Sequence, residues 1–441
     1  MKKGNAAALL PIGVFLLLYL GLGLTLQYGL GIDKGFYCVP IVGAFLVAIL
    51  TACLQNRKVS FEDKLTIMGQ GVGDKNIITM VLIFLVAGAF VGVVGRTSAQ
   101  SVAYFMLSII PPQFAVVVLF MVGCFISTAM GTSVGTITLL TPIAVEVAAA
   151  AGFSPALCIG TVVGGAMFGD NLSVISDTTI AACNGQGCAM KDKFRGNFAI
   201  ALPAALMTIV IILLMTVRQD AAPVVGDYDL WLMLPYILVL IGGVVGVNVF
   251  VVLIGGVISG AVMVLLTGAI TPEAGQTVFS QLLANLGGGM SGMFETSMVA
   301  VLVAALCALI REAGGFDALL AFIRRIFRGK RGGQLGVGLL VTVMDVATAN
   351  NTVAIVMANP IAKEMSEKYG ITPQRTACLL DTFSCIAQGV IPYGAQLLTA
   401  VAAAEMTGVT AFDIIPNLFY PYMLLICSLV AIALPGKKKK A

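Results

Sequence analysis

Apolar runs long enough to cross a bilayer recur from one end of this 441-residue chain to the other. A spanning helix needs roughly 17–25 mostly apolar residues, and segments 6–28, 36–53, 77–94, 198–217 and 414–434 all meet that length. Backbone polar groups find no water in hydrocarbon, so only helices and closed barrels can span it. The in–out alternation of barrel strands is missing here. The chain therefore reads as an all-α polytopic membrane protein with about ten to twelve transmembrane segments, broken ones included. At 59% hydrophobic and 10% charged residues, against about a quarter charged in soluble domains, a soluble enzyme is excluded. The first run lacks a small-residue cleavage site and is followed at once by another, so it is expected to remain as a span.

An internal repeat is the next strongest signal. "TPIAVEVAAAAGFSP" (141–155) aligns without gaps on "NPIAKEMSEKYGITP" (359–373), pairing Pro142 with Pro360, Glu146 with Glu364, Gly152 with Gly370 and Pro155 with Pro373. The same register lays "FGDNLSVISDTT" (168–179) on "IAQGVIPYGAQL" (386–397). With a two-residue slip, "STAMGTSVGT" (127–136) falls on "ATANNTVA" (347–354). The expected organisation is an N-terminal transmembrane hairpin (1–60), a first repeat (61–217) broken at 127–136 and 169–179, linking helices (218–275), and a second repeat (276–436) broken at 347–354 and 387–397.

Loop charge orients the halves, because cytoplasmic loops collect Lys and Arg. In the first half, 95–113 holds only Arg96 while 184–196 holds Lys191, Lys193 and Arg195. In the second half, 311–334 is rich in Arg and 402–414 has neither Lys nor Arg. Equivalent loops thus fall on opposite sides, the mark of an inverted-topology repeat and of secondary transporters. Lys2, Lys3 and Lys437–Lys440 place both termini in the cytoplasm and the protein in the cytoplasmic membrane. The net charge of +4 comes from such flanking residues, so no nucleic-acid partner is expected. The partners are the lipid bilayer, small cations and a small organic solute, and a homodimer is compatible with the sequence.

The chemistry concentrates where the apolar pattern breaks. A helix interrupted inside the membrane exposes backbone groups that are tolerated only around a cavity, and Gly169, Gly135, Pro392 and Gly394 let the chain leave helical geometry there. Intramembrane acids are costly and mark function. Asp170, Asp177, Asp345 and Asp381 are the candidates, with Asn171, Ser173, Ser176, Thr178 and Thr179 as hard-oxygen neighbours. Na⁺ is expected at Asp170 and Ser173. Asp170 could instead cap a helix or pair with a Lys, though the functional reading is the stronger one; for Asp177 a cap reads nearly as well as a functional role; and Asp345 and Asp381 could serve packing. Thr132, Ser133, Asn350, Asn351, Thr352, Gln388, Pro392 and Gln396 form the substrate and hairpin set. Glu146 and Glu364 read as helix-end or gate residues, and the Gly71, Gly73 and Gly287–Gly289 sites as helix packing. The sequence contains no histidine, so a carried proton rides on a carboxylate. No cofactor is expected beyond Na⁺ and H⁺ as transported or coupling ions.

"GDNLSVISDTT" (169–179) resembles the Gly-Asp-Lys-x-Ser-Pro-x-Ser-Asp-Thr-Thr signature of the NhaC-type Na⁺/H⁺ antiporters, within the ion transporter superfamily. Gly169, Asp170, Ser173, Ser176, Asp177, Thr178 and Thr179 match, whereas Asn171 stands for the usual Lys and Val174 for the usual Pro. "TAMGTSVGT" and "TANNTVAIVMANPIA" are similar to that family's hairpin segments, and the likeness runs from about residue 60 to 434. The resemblance implies re-entrant hairpins, an elevator-like transport domain and exchange of Na⁺ for H⁺, some relatives moving organic acids or amino acids. The loss of the motif lysine favours weighing a Na⁺- or H⁺-coupled carrier of an amino acid or small carboxylate as the alternative. An intramembrane aspartyl protease fits poorly, because it needs two acids on facing helices.

Overall fold

The structure is a computed structural model, and it describes residues 4–434 apart from 33–34, 58, 220–223, 273–274 and 405–406. Lys2, Lys3 and Lys437–Lys440, on which the placing of the termini rests, lie outside the described residues. Within them the chain is helical throughout, with no strand. Among the described residues, nine helical stretches, three of them each made of two consecutive helices, are long and apolar enough to cross a membrane, or ten when a pair bent by 49° near Leu418 counts as one.

The first half runs α1 (Ala6–Gly29), α2 (Ile41–Gln55), α3 (Phe61–Val72), α4 (Lys75–Ile109), α5 (Pro112–Met130), α6 (Ser133–Ala151), α7 (Pro155–Leu172), α8 (Asp177–Gln186) and α9 (Met190–Val217). The second runs α10 (Leu230–Val245), α11 (Val249–Thr267), α12 (Val278–Gly292), α13 (Phe294–Glu312), α14 (Gly315–Ile326), α15 (Gly329–Thr348), α16 (Asn351–Tyr369), α17 (Pro373–Val390), α18 (Ala395–Ala403) and α19 (Phe419–Ala433). Ser133, Pro155 and Asp177 open helices exactly matched by those that open at Asn351, Pro373 and Ala395, each 218 residues later, with no slip at the hairpin. The correspondence extends further than the sequence suggested. Helices α1 and α2 occupy the place in the first half that α10 and α11 occupy in the second.

Packing is reciprocal, as a twofold relation requires. Helix α4 lies on α12 while α13 lies on α3; α6 lies on α18 while α16 lies on α8; and α9 meets its own counterpart α19. The hairpins α5–α6 and α15–α16 do not pack along their legs, but residues 131–134 and 350–352 of their tips line one cavity. Local chemistry fixes each corner. Thr132 and Asn350 cap the returning helices by accepting from Gly135 N and Val353 N. Gly152 and Gly370 end them in the left-handed conformation, and Pro155 and Pro373 start the next helices at their first position. Gly131 turns the first tip at φ 69°, whereas the second uses Ala349 at φ 47°.

Several sequence expectations change here. Residues 95–109 are helix, not loop: α4 bends at Gly95 (φ 69°) and continues. Only 187–189 separate α8 from α9, so Lys191, Lys193 and Arg195 are helical, and Lys193 is 1% exposed. Gly169 and Gly135 are inside helices rather than at breaks. Gly169 serves close packing, since an added Cβ would run into Ser127 and Thr128 of α5. Gly289 packs on Gly88 and Gly92 and Gly71 on Ala304 and Ala308, but Gly287 and Gly288 have nothing near. Glu146 is buried and receives Arg96 Nε at 2.6 Å across α4 and α6, so it is no solvated helix end.

Candidate ion and substrate site

Both broken segments and both hairpin tips meet around one cavity of about 90 Å³. Helix α7 stops at Leu172 and α8 starts at Asp177, because Ser173 closes the first helix with its N–H on Gly169 O and then leaves helical geometry. Asp170 occupies the last turn of α7 and is 4% exposed. Its Oδ1 accepts from Ser176 Oγ at 2.5 Å and its Oδ2 from Ser133 Oγ at 2.8 Å, one hydroxyl from the break and one from the first tip. The second half reaches the same point: Asn351 Nδ2 lies 3.4 Å from Asp170 Oδ2, and Gln396 Nε2 donates to Ser133 Oγ at 3.1 Å.

Of the residues singled out above, Asp170, Ser176, Asp177, Thr178, Thr132, Ser133, Asn350, Asn351, Thr352, Gln388 and Gln396 line the cavity. Gln388 holds in the second half the position that Asp170 holds in the first, and it donates to Ala349 O at 2.8 Å. Asp177 is exposed at the first turn of α8, so the sequence motif buries one acid, not two. Ser173 is buried, but its hydroxyl accepts from Ile175 N at 3.3 Å; Ser176 and Ser133, not Ser173, bond to Asp170. Pro392 sits in the second break, between α17 and α18.

Asn171, Thr179 and Asp381 belong to an adjoining cluster. Lys193 forms an ion pair with Asp381, both inaccessible, and donates to Asn171 O at 2.7 Å and Thr179 Oγ1 at 2.6 Å. Asn197 Nδ2 donates to Asn171 Oδ1 at 2.5 Å and to Asp381 Oδ2 at 3.1 Å. Asp345 lies apart, one turn before the second tip, with Ser384 Oγ at 3.2 Å from its Oδ1. Sequence reasoning missed Lys193 and Asn197 as site residues, and also Asn76 and Thr79, which α4 contributes to the cavity wall. The four-residue step from Lys193 to Asn197 on one helix face, beside a motif lacking its lysine, was the signal available.

Two kinds of helix end face this cavity. Helices α6, α8, α16 and α18 present their N-termini and α7 and α17 their C-terminal turns. N-terminal N–H groups favour negative charge and C-terminal carbonyls favour positive charge, so the arrangement suits a carboxylate holding a cation. Among the described residues Asp170 has no ion-pair partner.

Twofold-related halves with broken segments meeting at a polar intramembrane cavity are the architecture of a secondary transporter. The model of the "Na+/H+ antiporter family" matches residues 34–217 and 225–435. The chain belongs to that family and is a multi-pass membrane protein of the transporter class, not an enzyme. It is 23% identical over 434 residues to the Na⁺/H⁺ antiporter NhaC of Alkalihalophilus pseudofirmus, covering 91% of each chain. It is 25% identical to NhaC of Bacillus subtilis over 80% of this chain and 83% of that one. The malate-2H⁺/Na⁺-lactate antiporter of B. subtilis is 22% identical over 53% of this chain and 51% of its own.

Proposed function

We propose that the protein exchanges Na⁺ for H⁺ across the cytoplasmic membrane, with both termini in the cytoplasm and Asp170 as the carboxylate that carries either ion. The observation that supports this reading is the setting of Asp170: buried, bonded by hydroxyls from two separate backbone breaks, and without a side-chain counter-ion among the described residues. Asp381 differs, because Lys193 already occupies it. A carboxylate oxygen holds a proton or coordinates Na⁺, but the bonds that serve one exclude the other. If only the loaded site crosses, competition alone couples the two flows. The same cavity then opens to either side by alternating access, which the twofold relation of the halves favours.

Ser133 and Ser176 hold the carboxylate in place and add hard oxygens suited to Na⁺. Asn351 extends the second tip to the first half, so ion binding at Asp170 is felt by both hairpins.

A second reading is favoured by one specific observation. Four helix N-termini and the amides of Asn351 and Gln396 line the cavity, a setting that attracts an organic carboxylate, and one relative is named for malate and lactate. Purified protein in liposomes separates the readings. Na⁺-driven proton movement without any organic solute, with an apparent Na⁺ affinity that weakens as pH falls, is expected. A strict requirement for added malate, lactate or an amino acid, across a panel with Na⁺, Li⁺ and K⁺, would overturn it in favour of the second.

A further inference from the structure

The two halves differ in character at α14. Its counterpart in the first half is the apolar continuation of α4 beyond Gly95, with Arg96 its one cation. Helix α14 instead carries a basic run into the following turn, and it presents Phe322 and Ile326, 61% and 55% exposed, beside exposed Arg325 and Arg328. Tyr369, at the end of α16, ties this turn down by donating to Phe327 O at 2.9 Å. Between them is an open cavity of about 480 Å³ lined by Ala321, Arg325, Arg328, Lys368 and Tyr369. Three cations converge there, and no lining residue among those described is acidic. Lys368 is held with its ammonium 5.5 Å from the Tyr369 ring centroid.

From this we infer that the cavity between α14 and the end of α16 is a binding site for the phosphate headgroup of an anionic phospholipid. Charge complementarity defines the ligand chemistry, since two guanidiniums and an ammonium match a phosphodiester. The source is fixed by what surrounds the cations. Helix α14 packs its apolar side, with Phe316 and Ile323, on the protein and leaves Phe322 and Ile326 exposed beside the cations, and apolar side chains next to basic groups suit the boundary between headgroups and acyl chains. Phe322 and Ile326 would contact the tails while Arg325, Arg328 and Lys368 hold the headgroup. A pocket for a soluble anion would have no need of them. Tyr369 adds the interfacial aromatic typical of this depth. The site lies apart from the transport cavity and shares no lining residue with it.

The test uses the full-length protein in a neutral detergent, followed by native mass spectrometry and thermal unfolding. Phosphatidylglycerol is expected to remain bound and to raise the unfolding midpoint by several degrees, while phosphatidylcholine does neither. The Arg325→Gln/Arg328→Gln/Lys368→Gln variant should lose that retention and shift, and Arg325→Gln alone should lose part of it, in case the triple variant is poorly folded. Equal retention of the two lipids, unchanged phosphatidylglycerol binding by a folded variant, or the same stabilisation by inorganic phosphate alone would each overturn the assignment.

Discussion

Lys193 and Asp381 show how a buried charge is tolerated in this protein. Each is inaccessible, and the pair is surrounded by Asn171, Thr179 and Asn197. Removing one partner of such a pair leaves the other uncompensated, at a cost of about 3–5 kcal/mol, whereas replacing both by apolar residues is often near neutral. Lys193→Met should therefore lower the thermal midpoint sharply, and Lys193→Met/Asp381→Leu should recover most of the loss. A double variant no more stable than the single one would show that the pair does more than satisfy its own charges. The sequence could not place Lys193 here: it is 22 residues from Asn171, and a lysine near a span end reads as a loop charge. The placing of Asp170 beside a break with hydroxyl neighbours, by contrast, was legible, because an acid followed by Ser and Thr interrupts an otherwise apolar run.

At the scale of elements, the hairpin tips carry the distinction between structure and binding. Asn350 caps α16, and its loss is expected to cost about 1 kcal/mol of stability. Asn351, one residue on, points to Asp170 instead. Asn350→Ala should thus lower the unfolding midpoint, while Asn351→Ala should leave it nearly unchanged and weaken the apparent Na⁺ affinity. An unchanged Na⁺ affinity in the Asn351 variant would remove that residue from the site. Helix starts and stops at these corners were readable from capping residues and from the Gly-x-x-Pro steps at Gly152 and Gly370. The kinked continuity of α4 was not. Arg96, Thr97, Ser98 and Gln100 resemble a loop, yet Gly95 bends the helix without ending it, and Arg96 reaches Glu146.

At the scale of the molecule, the repeat in the sequence was more complete than its letters suggested. Identity survives at Pro142, Gly152 and Pro155 and their partners, where backbone geometry demands particular residues. It is lost in the outer helices, where lipid accepts any apolar side chain. Those helices, α1 and α2 against α10 and α11, became recognisable only from their packing. The halves have also diverged where they would do different work. Asp170 corresponds to Gln388 across the repeat, so of these two equivalent positions only the first-half one bears a carboxylate.

The most direct test of this account is therefore the proton flux driven by an imposed Na⁺ gradient, measured in liposomes free of organic solutes, for the wild type and for Asp170→Asn. The wild type is expected to exchange, and the variant, correctly inserted and with an unaltered oligomer profile and thermal midpoint near that of the wild type, is expected to show no coupled flux. Undiminished exchange by the variant would contradict the assignment of Asp170 as the site shared by Na⁺ and H⁺.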